Sequence, residues 1–330
     1  MGGWAGERAG TDCSPRGEPT RTHTLHFPPT SPYLPTMSKE EIEESRFRPA
    51  SEEASQAVHN KLEAGTPQTQ SKAYKLAFQD NEFLLRGDLR PVRFQLELLK
   101  PELLLDEANI KSTFVFYGSA RIPQQEVAQA RIDAAKTDWD KMVATNLARN
   151  SRYYDVCREL ARIAAQYPVA EDGCRHFVVT SGGGPSIMEA ANRGAADVGA
   201  ESIGMNIVLP HEQAPNIYVT PELSFQFHYF ALRKMHFLLR ARALAVFPGG
   251  FGTFDEFFEL LTLVQTGKMK PIPILLFGRD YWKRVVNFEA LAEEGVIGPK
   301  DLELISWVET ADEAWKIVQD FYGETPAGCD

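Results

Sequence analysis

The chain has 330 residues, 43% of them hydrophobic and 24% charged, which is the balance of a globular fold large enough for a sizeable buried core plus an extension. Its formal net charge of −10 argues against holding a nucleic-acid backbone, because that binding relies on Lys and Arg neutralising phosphates. A small phosphorylated ligand, which needs only a local positive site, stays open. No apolar run approaches the roughly 18 residues of a membrane span.

Residues 1–37 are rich in Gly, Pro, Thr and Arg and lack the apolar stretch of a signal peptide, so a disordered leader is expected, with Met37 as a plausible start. From 38 to 110 the composition is charged and helical, interrupted at Pro91 and Pro101, which predicts a helical extension. Short β-branched and aromatic runs then alternate with amphipathic segments. Strands are expected at 113–117, 176–180, 201–209, 243–247, 272–277 and 305–308. Helices are expected at 124–150, 151–166, 185–198, 230–242, 253–265, 281–294 and 311–322, with a short tail from 324. This alternation predicts an α/β fold, a Rossmann-like doubly wound parallel sheet over 111–323. Ligands bind such sheets beyond the carboxyl ends of the strands. That rule selects the turns 118–121, 181–186 and 248–253.

In the last of these turns a strand runs into Pro248-Gly249-Gly250-Phe251-Gly252-Thr253 and then a helix carrying Asp255 and Glu256. Glycines let backbone approach a ligand with no Cβ in the way, and the N–H groups and dipole of a helix start favour an anion. A second reading fits equally: Thr253 and Glu256 have capping-box spacing, with 254, 257, 258, 261 and 264 forming a buried stripe. The turn at Gly182, Gly183 and Gly184 repeats the strand–glycine–helix design but lacks the third glycine of a dinucleotide fingerprint. After the first strand, Gly118 and Ser119 offer backbone and hydroxyl donors and Arg121 a cation. Arg233, His236 and Arg240 lie at i, i+3 and i+7, next to Lys234, a spacing that suits either an anion clamp or a solvated face.

The seven histidines show no clustered ligand spacing, so no metal site is expected. Cys13, Cys157, Cys174 and Cys329 are scattered, which is consistent with reduced thiols in the cytoplasm.

Four segments together carry a resemblance: FYGSAR at 116–121, GGGPSIMEAANRGA at 182–195, the Arg233-Lys234 pair and PGGFGTFDE at 248–256. They resemble the LOG (Lonely Guy) family of cytokinin riboside 5′-monophosphate phosphoribohydrolases, whose longer, helix-extended bacterial members are the nearest in layout. The resemblance implies a Rossmann-like homodimer or higher homo-oligomer that hydrolyses nucleoside 5′-monophosphates, such as AMP or N6-modified AMP, to base and ribose 5-phosphate without a cofactor. It places the catalytic pair on Arg233 and Glu256. Phosphate binding falls on Gly249, Gly250, Gly252 and Thr253, supported by Gly118, Ser119, Arg121, Gly182, Gly183, Gly184 and Lys234. Some relatives carry a lysine decarboxylase label, but no lysine here sits in an evident Schiff-base context. The continuation Pro185-Ser186-Ile187-Met188-Glu189 departs from the Gly-Leu-Met-Gly of plant members and leaves the base preference open. The competing expectation is a non-catalytic nucleotide or molybdenum-cofactor carrier on the same scaffold.

Overall fold

The structure, a computed structural model, describes residues 49–210 and 214–323. The expected leader, the tail from 324, Cys13 and Cys329 lie outside the described residues.

Residues 49–80 form one unit by themselves. Helix α1 (Ala50–Ala64) stops at Gly65, which takes the left-handed φ of 55° that ends helices without a Cβ penalty. Short turns follow, the first capped by the Thr66 hydroxyl.

The second unit begins at Asn81. Helix α2 (Arg90–Glu107) tolerates both prolines expected to interrupt it: Pro91 sits in the first turn, where no intrahelical donor is needed, and Pro101 lies buried inside the helix. After it come β1 (Thr113–Tyr117), α3 (Gln125–Asp133), α4 (Asp138–Arg149), α5 (Arg152–Ala165) and β2 (Val178–Ser181). The middle of the unit holds α6 (Ile187–Ala196), β3 (Ile203–Ile207), β4 (Ser224–Phe227), α7 (Phe230–Leu239) and β5 (Ala241–Val246). It closes with α8 (Phe251–Gln265), β6 (Ile274–Phe277), α9 (Arg279–Val285), α10 (Phe288–Glu293), β7 (Ser306–Val308) and α11 (Ala311–Tyr322).

Among the described residues the seven strands are all parallel, in the order β4-β3-β2-β1-β5-β6-β7. The fold is therefore the expected Rossmann-like α/β sheet. Side chains alternate across it. Phe114 and Phe116 join the layer with Cys157, Leu160 and Ile187, while Val115 and Tyr117 join the layer with Phe237, Phe257 and Trp282. On the first face Gly194 lets α6 lie against α5, because a Cβ there would sit 2.1 Å from the Arg158 carbonyl oxygen.

Two of the expected helices are divided, each for a local reason. The helix expected at 124–150 breaks in two because the Thr137 hydroxyl accepts from the Asp140 N–H and starts a new one. Asn287 likewise splits 281–294 by capping α10. Strand β4 was not expected at all. Among the described residues no helix is long and apolar enough to cross a membrane.

Strand order reverses at β1, which pairs with β2 on one side and β5 on the other. Such a switch point opens a crevice beyond the strand ends. Ser119 N donates to the Pro248 carbonyl and Phe247 N to the Tyr117 carbonyl, so the turns after β1 and β5 lie side by side there.

Candidate active site at the strand switch point

Helix α8 opens at Phe251, two residues before the expected Thr253, with Gly250 as its N-cap and no side-chain cap. The capping reading therefore does not hold. Thr253 is the third helical residue, buried beneath Gly249, where a Cβ on Gly249 would stand 2.1 Å from the Thr253 hydroxyl. A Cβ on Gly250 or Gly252 would instead meet open space. The first turn of this 15-residue helix thus presents N–H groups that the helix itself does not satisfy.

Glu256 lies on the second turn of α8 and bonds to Arg233 of α7, Arg233 Nη1 donating to Glu256 Oε1 at 2.6 Å. Both side chains are largely buried, at 10% exposure for Arg233 and 13% for Glu256. Arg233 is fixed from three further directions. Its Nε donates to the Met205 carbonyl in the middle of β3 at 2.7 Å, its guanidinium lies over the Phe237 ring, and its Nη2 lies so near Gly182 that a Cβ there would come within 2.7 Å. The glycine at 182 is what lets the cation reach the β2 loop. Its neighbour Gly183 has φ 70°, and a Cβ would collide with Asn206 Oδ1.

Burial pushes the Glu256 carboxyl up to about 7, against the pull of the Arg233 charge and hydrogen bond. Its ordinary value is 4.5, so between those two pH values the folded chain holds a proton that the unfolded chain has released. Stability from this group is therefore full at low pH and is lost as pH rises through 7. Burial, with Glu256 next, also raises the Tyr117 hydroxyl well above its usual range.

The predicted site residues divide into three groups. Arg233, Glu256, Gly182 and the 249–253 turn come together at the switch point. Gly118 and Ser119 border it: a Cβ on Gly118 would strike Ile187, and the Ser119 hydroxyl accepts from the N–H of exposed Arg121. The supposed cationic stripe does not act as one clamp. Lys234 bonds to Asp255 and Glu259, each at 3.0 Å. His236 is buried against the Glu97 carbonyl and Glu102, and Arg240 bonds to Glu102 and Asp106. The acids of α2 neutralise the far end of that helix face.

The helix expected from Pro185 opens only at Ile187, because Ser186 adopts φ 65° and ψ −121°, a non-helical and strained conformation for a residue with a Cβ. Sequence reasoning missed the Met205 carbonyl and Phe237, which hold Arg233, and Asn216, whose amide meets the glycine loop.

Fold and site together define an α/β protein with two glycine loops and a buried Arg–Glu pair at its switch point. Residues 188–318 match the family described as "Possible lysine decarboxylase". Among curated relatives, the cytokinin riboside 5′-monophosphate phosphoribohydrolase LOG3 of Arabidopsis thaliana is 27% identical over 148 residues, 44% of this chain and 67% of that protein. A probable enzyme of the same name from Oryza sativa subsp. japonica, LOGL3, is 25% identical over 152 residues, 44% and 68%. The chain is thus similar, at low identity and over less than half of its length, to proteins named as LOG phosphoribohydrolases. Among solved structures, the structural-genomics target TM1055 is 19% identical with a TM-score of 0.40, covering 63% of this chain and 99% of that one. The molybdenum cofactor binding protein of Rippkaea orientalis is 14% identical with a TM-score of 0.39, covering 64% and 96%.

Proposed function

We propose that the chain hydrolyses the N-glycosidic bond of nucleoside 5′-monophosphates, AMP or an N6-modified AMP, releasing the base and ribose 5-phosphate. The observation that carries this reading is the buried Arg233–Glu256 pair beside an open, glycine-lined helix start. The 5′-phosphate docks on the N–H groups at the start of α8, where donors and dipole both favour an anion. That anchor uses binding energy remote from the reacting bond to place C1′ near Glu256. As the C1′–N bond breaks, positive charge develops on the ribose, and a carboxylate stabilises it as in glycoside hydrolysis. Water supplies the hydroxyl to C1′ and the proton to the departing base. Glu256 steers or deprotonates that water, and Arg233 orients the carboxylate.

A carrier of a nucleotide or of the molybdenum cofactor, the competing reading, gives Glu256 no task. A carboxyl held near 7 beside a glycine-lined helix start is suited to acid–base work. The exposed apolar Phe230, Met235 and Leu239 of α7 support self-association, in keeping with a homodimer.

The test is to incubate the purified chain with AMP and quantify free adenine and ribose 5-phosphate across pH 5 to 9. Both products are expected in equal amounts. The ionised carboxylate is the working form, so kcat should rise with pH about a midpoint near 7. Absence of adenine defeats the enzyme reading, and a midpoint near 4.5 defeats the role given to burial of Glu256.

A further inference from the structure

Two side chains outside the Arg233–Glu256 pair grip the glycine loops from behind, and both grip carbonyl oxygens. Asn216, in the segment between β3 and β4, donates through Nδ2 to the Gly183 oxygen at 3.1 Å and the Gly184 oxygen at 3.0 Å. Its backbone N–H adds a bond to the Gly183 oxygen at 2.8 Å. Its own carbonyl Oδ1 is held by the Tyr218 N–H, which fixes the orientation of the amide. On the other side of the switch point, the Tyr281 hydroxyl of α9 donates to the Gly249 oxygen at 2.5 Å.

In a planar trans peptide the carbonyl and the following N–H point in opposite directions. Holding the Gly183 oxygen therefore turns the Gly184 N–H away from Asn216, and holding the Gly249 oxygen turns the Gly250 N–H away from Tyr281. Pro185 follows Gly184 and has no N–H, so the second carbonyl that Asn216 holds orients no competing donor. Among the described residues neither the Gly184 nor the Gly250 N–H donates to any protein acceptor. By contrast, Gly183 N–H is already taken by the Ser181 hydroxyl. Each loop thus presents an aimed backbone donor that no protein acceptor takes.

We infer that Asn216 and Tyr281 are positioning residues, which preorganise the Gly184 and Gly250 N–H groups to receive the phosphorylated ribose of the ligand. This rests on the phosphate-anchoring half of the proposed function and not on bond cleavage. Neither residue touches the reacting atoms. Each fixes a peptide plane, so that binding does not have to order it, which is the general benefit of preorganisation.

The experiment is calorimetric titration of the full chain with ribose 5-phosphate, comparing wild type with Tyr281→Phe and Asn216→Asp. Tyr322→Phe serves as control, since the Tyr322 hydroxyl also donates to a carbonyl, that of Arg242 at the opposite end of β5, away from the glycine loops. Tyr281→Phe removes one oxygen and should weaken ribose 5-phosphate about three- to tenfold, the size of one hydrogen bond. Asn216→Asp, which replaces the amide donor by a carboxylate facing two carbonyls, should weaken it at least as much. Tyr322→Phe should bind as wild type does. With AMP as substrate, Tyr281→Phe should raise KM more than it lowers kcat.

The inference is overturned if Tyr281→Phe and Tyr322→Phe bind ribose 5-phosphate alike, or if wild type does not bind it. Tyr281→Phe carries the result even where Asn216→Asp fails to fold. Loss of ribose 5-phosphate affinity in a chain that releases no adenine from AMP would uphold the positioning role while removing the hydrolase reading.

Discussion

Glu256→Gln is expected to lower kcat for AMP by about 100- to 10,000-fold while the chain still folds, the range typical of removing an acid–base group. Gln preserves the size of the side chain and can still accept from Arg233 Nη1, which reaches Oε1 at 2.6 Å in the native pair. What it removes is the negative charge that faces the ribose as the glycosidic bond opens, and the capacity to take a proton from water. A helix-capping role for the same residue would cost about 1 kcal/mol of stability and no chemistry. The observed start of α8 at Phe251 already places Thr253 and Glu256 beyond the cap. Steady-state kinetics beside a thermal unfolding curve separates the two roles. Full activity with a lowered melting temperature would return Glu256 to a structural part.

Arg233→Met should be costly in both stability and pH behaviour. Met keeps much of the apolar stem that packs on Phe237, but it withdraws the charge paired with Glu256 and the donor to the Met205 carbonyl. Breaking a buried pair by removing one partner costs about 3–5 kcal/mol, or roughly 10 °C at about 2–4 °C per kcal/mol for a domain of this size. The sign with pH follows from which state holds the proton. Arg233 lowers the Glu256 pKa, so without it that pKa climbs above its native value of about 7. Below pH 6 the carboxyl is already neutral and little is lost, whereas above pH 7 the variant must either bury an unpaired charge or retain a proton. The melting deficit should therefore widen as pH rises, and the rising limb of kcat should move to higher pH. A deficit equal at pH 5.5 and pH 8.5 would show that the ion pair contributes nothing beyond packing.

The parts of the molecule legible in the sequence were those with strong local signals. The segments 176–180 and 243–247 read as strands, within two residues of the observed Val178–Ser181 and Ala241–Val246, because buried parallel strands carry near-continuous apolar runs. The glycine turns were legible because each strand runs directly into them. Strand β4 was not, being four residues long, although its alternation of buried Phe225 and Phe227 with exposed Gln226 is the signature of a half-buried edge. Helix breaks at Thr137 and Asn287 were legible in principle as capping residues within otherwise continuous helical patterns.

The site was legible only as far as its motifs reached. Spacing placed Arg233, His236 and Arg240 on one helix face, yet only Arg233 meets Glu256, because Glu97, Glu102 and Asp106 on α2 engage the other two. No local pattern announces that pairing across more than a hundred residues of chain. Asn216 and Tyr281 were invisible for a related reason: their partners are backbone carbonyls about thirty residues away, and a carbonyl has no signature in sequence. Gly182 read as a turn residue, while its tightest constraints come from the Arg233 guanidinium and the Met188 sulfur, each 2.7 Å from where a Cβ would stand.

A crystal structure of Glu256→Gln soaked with AMP probes the whole proposal at once, since the slowed variant retains its ligand. The phosphate should lie within hydrogen-bond reach of the N–H groups from Gly250 to Thr253, with C1′ facing the side chain at position 256. A phosphate bound elsewhere, or a ribose whose C1′ points away from that side chain, would contradict it.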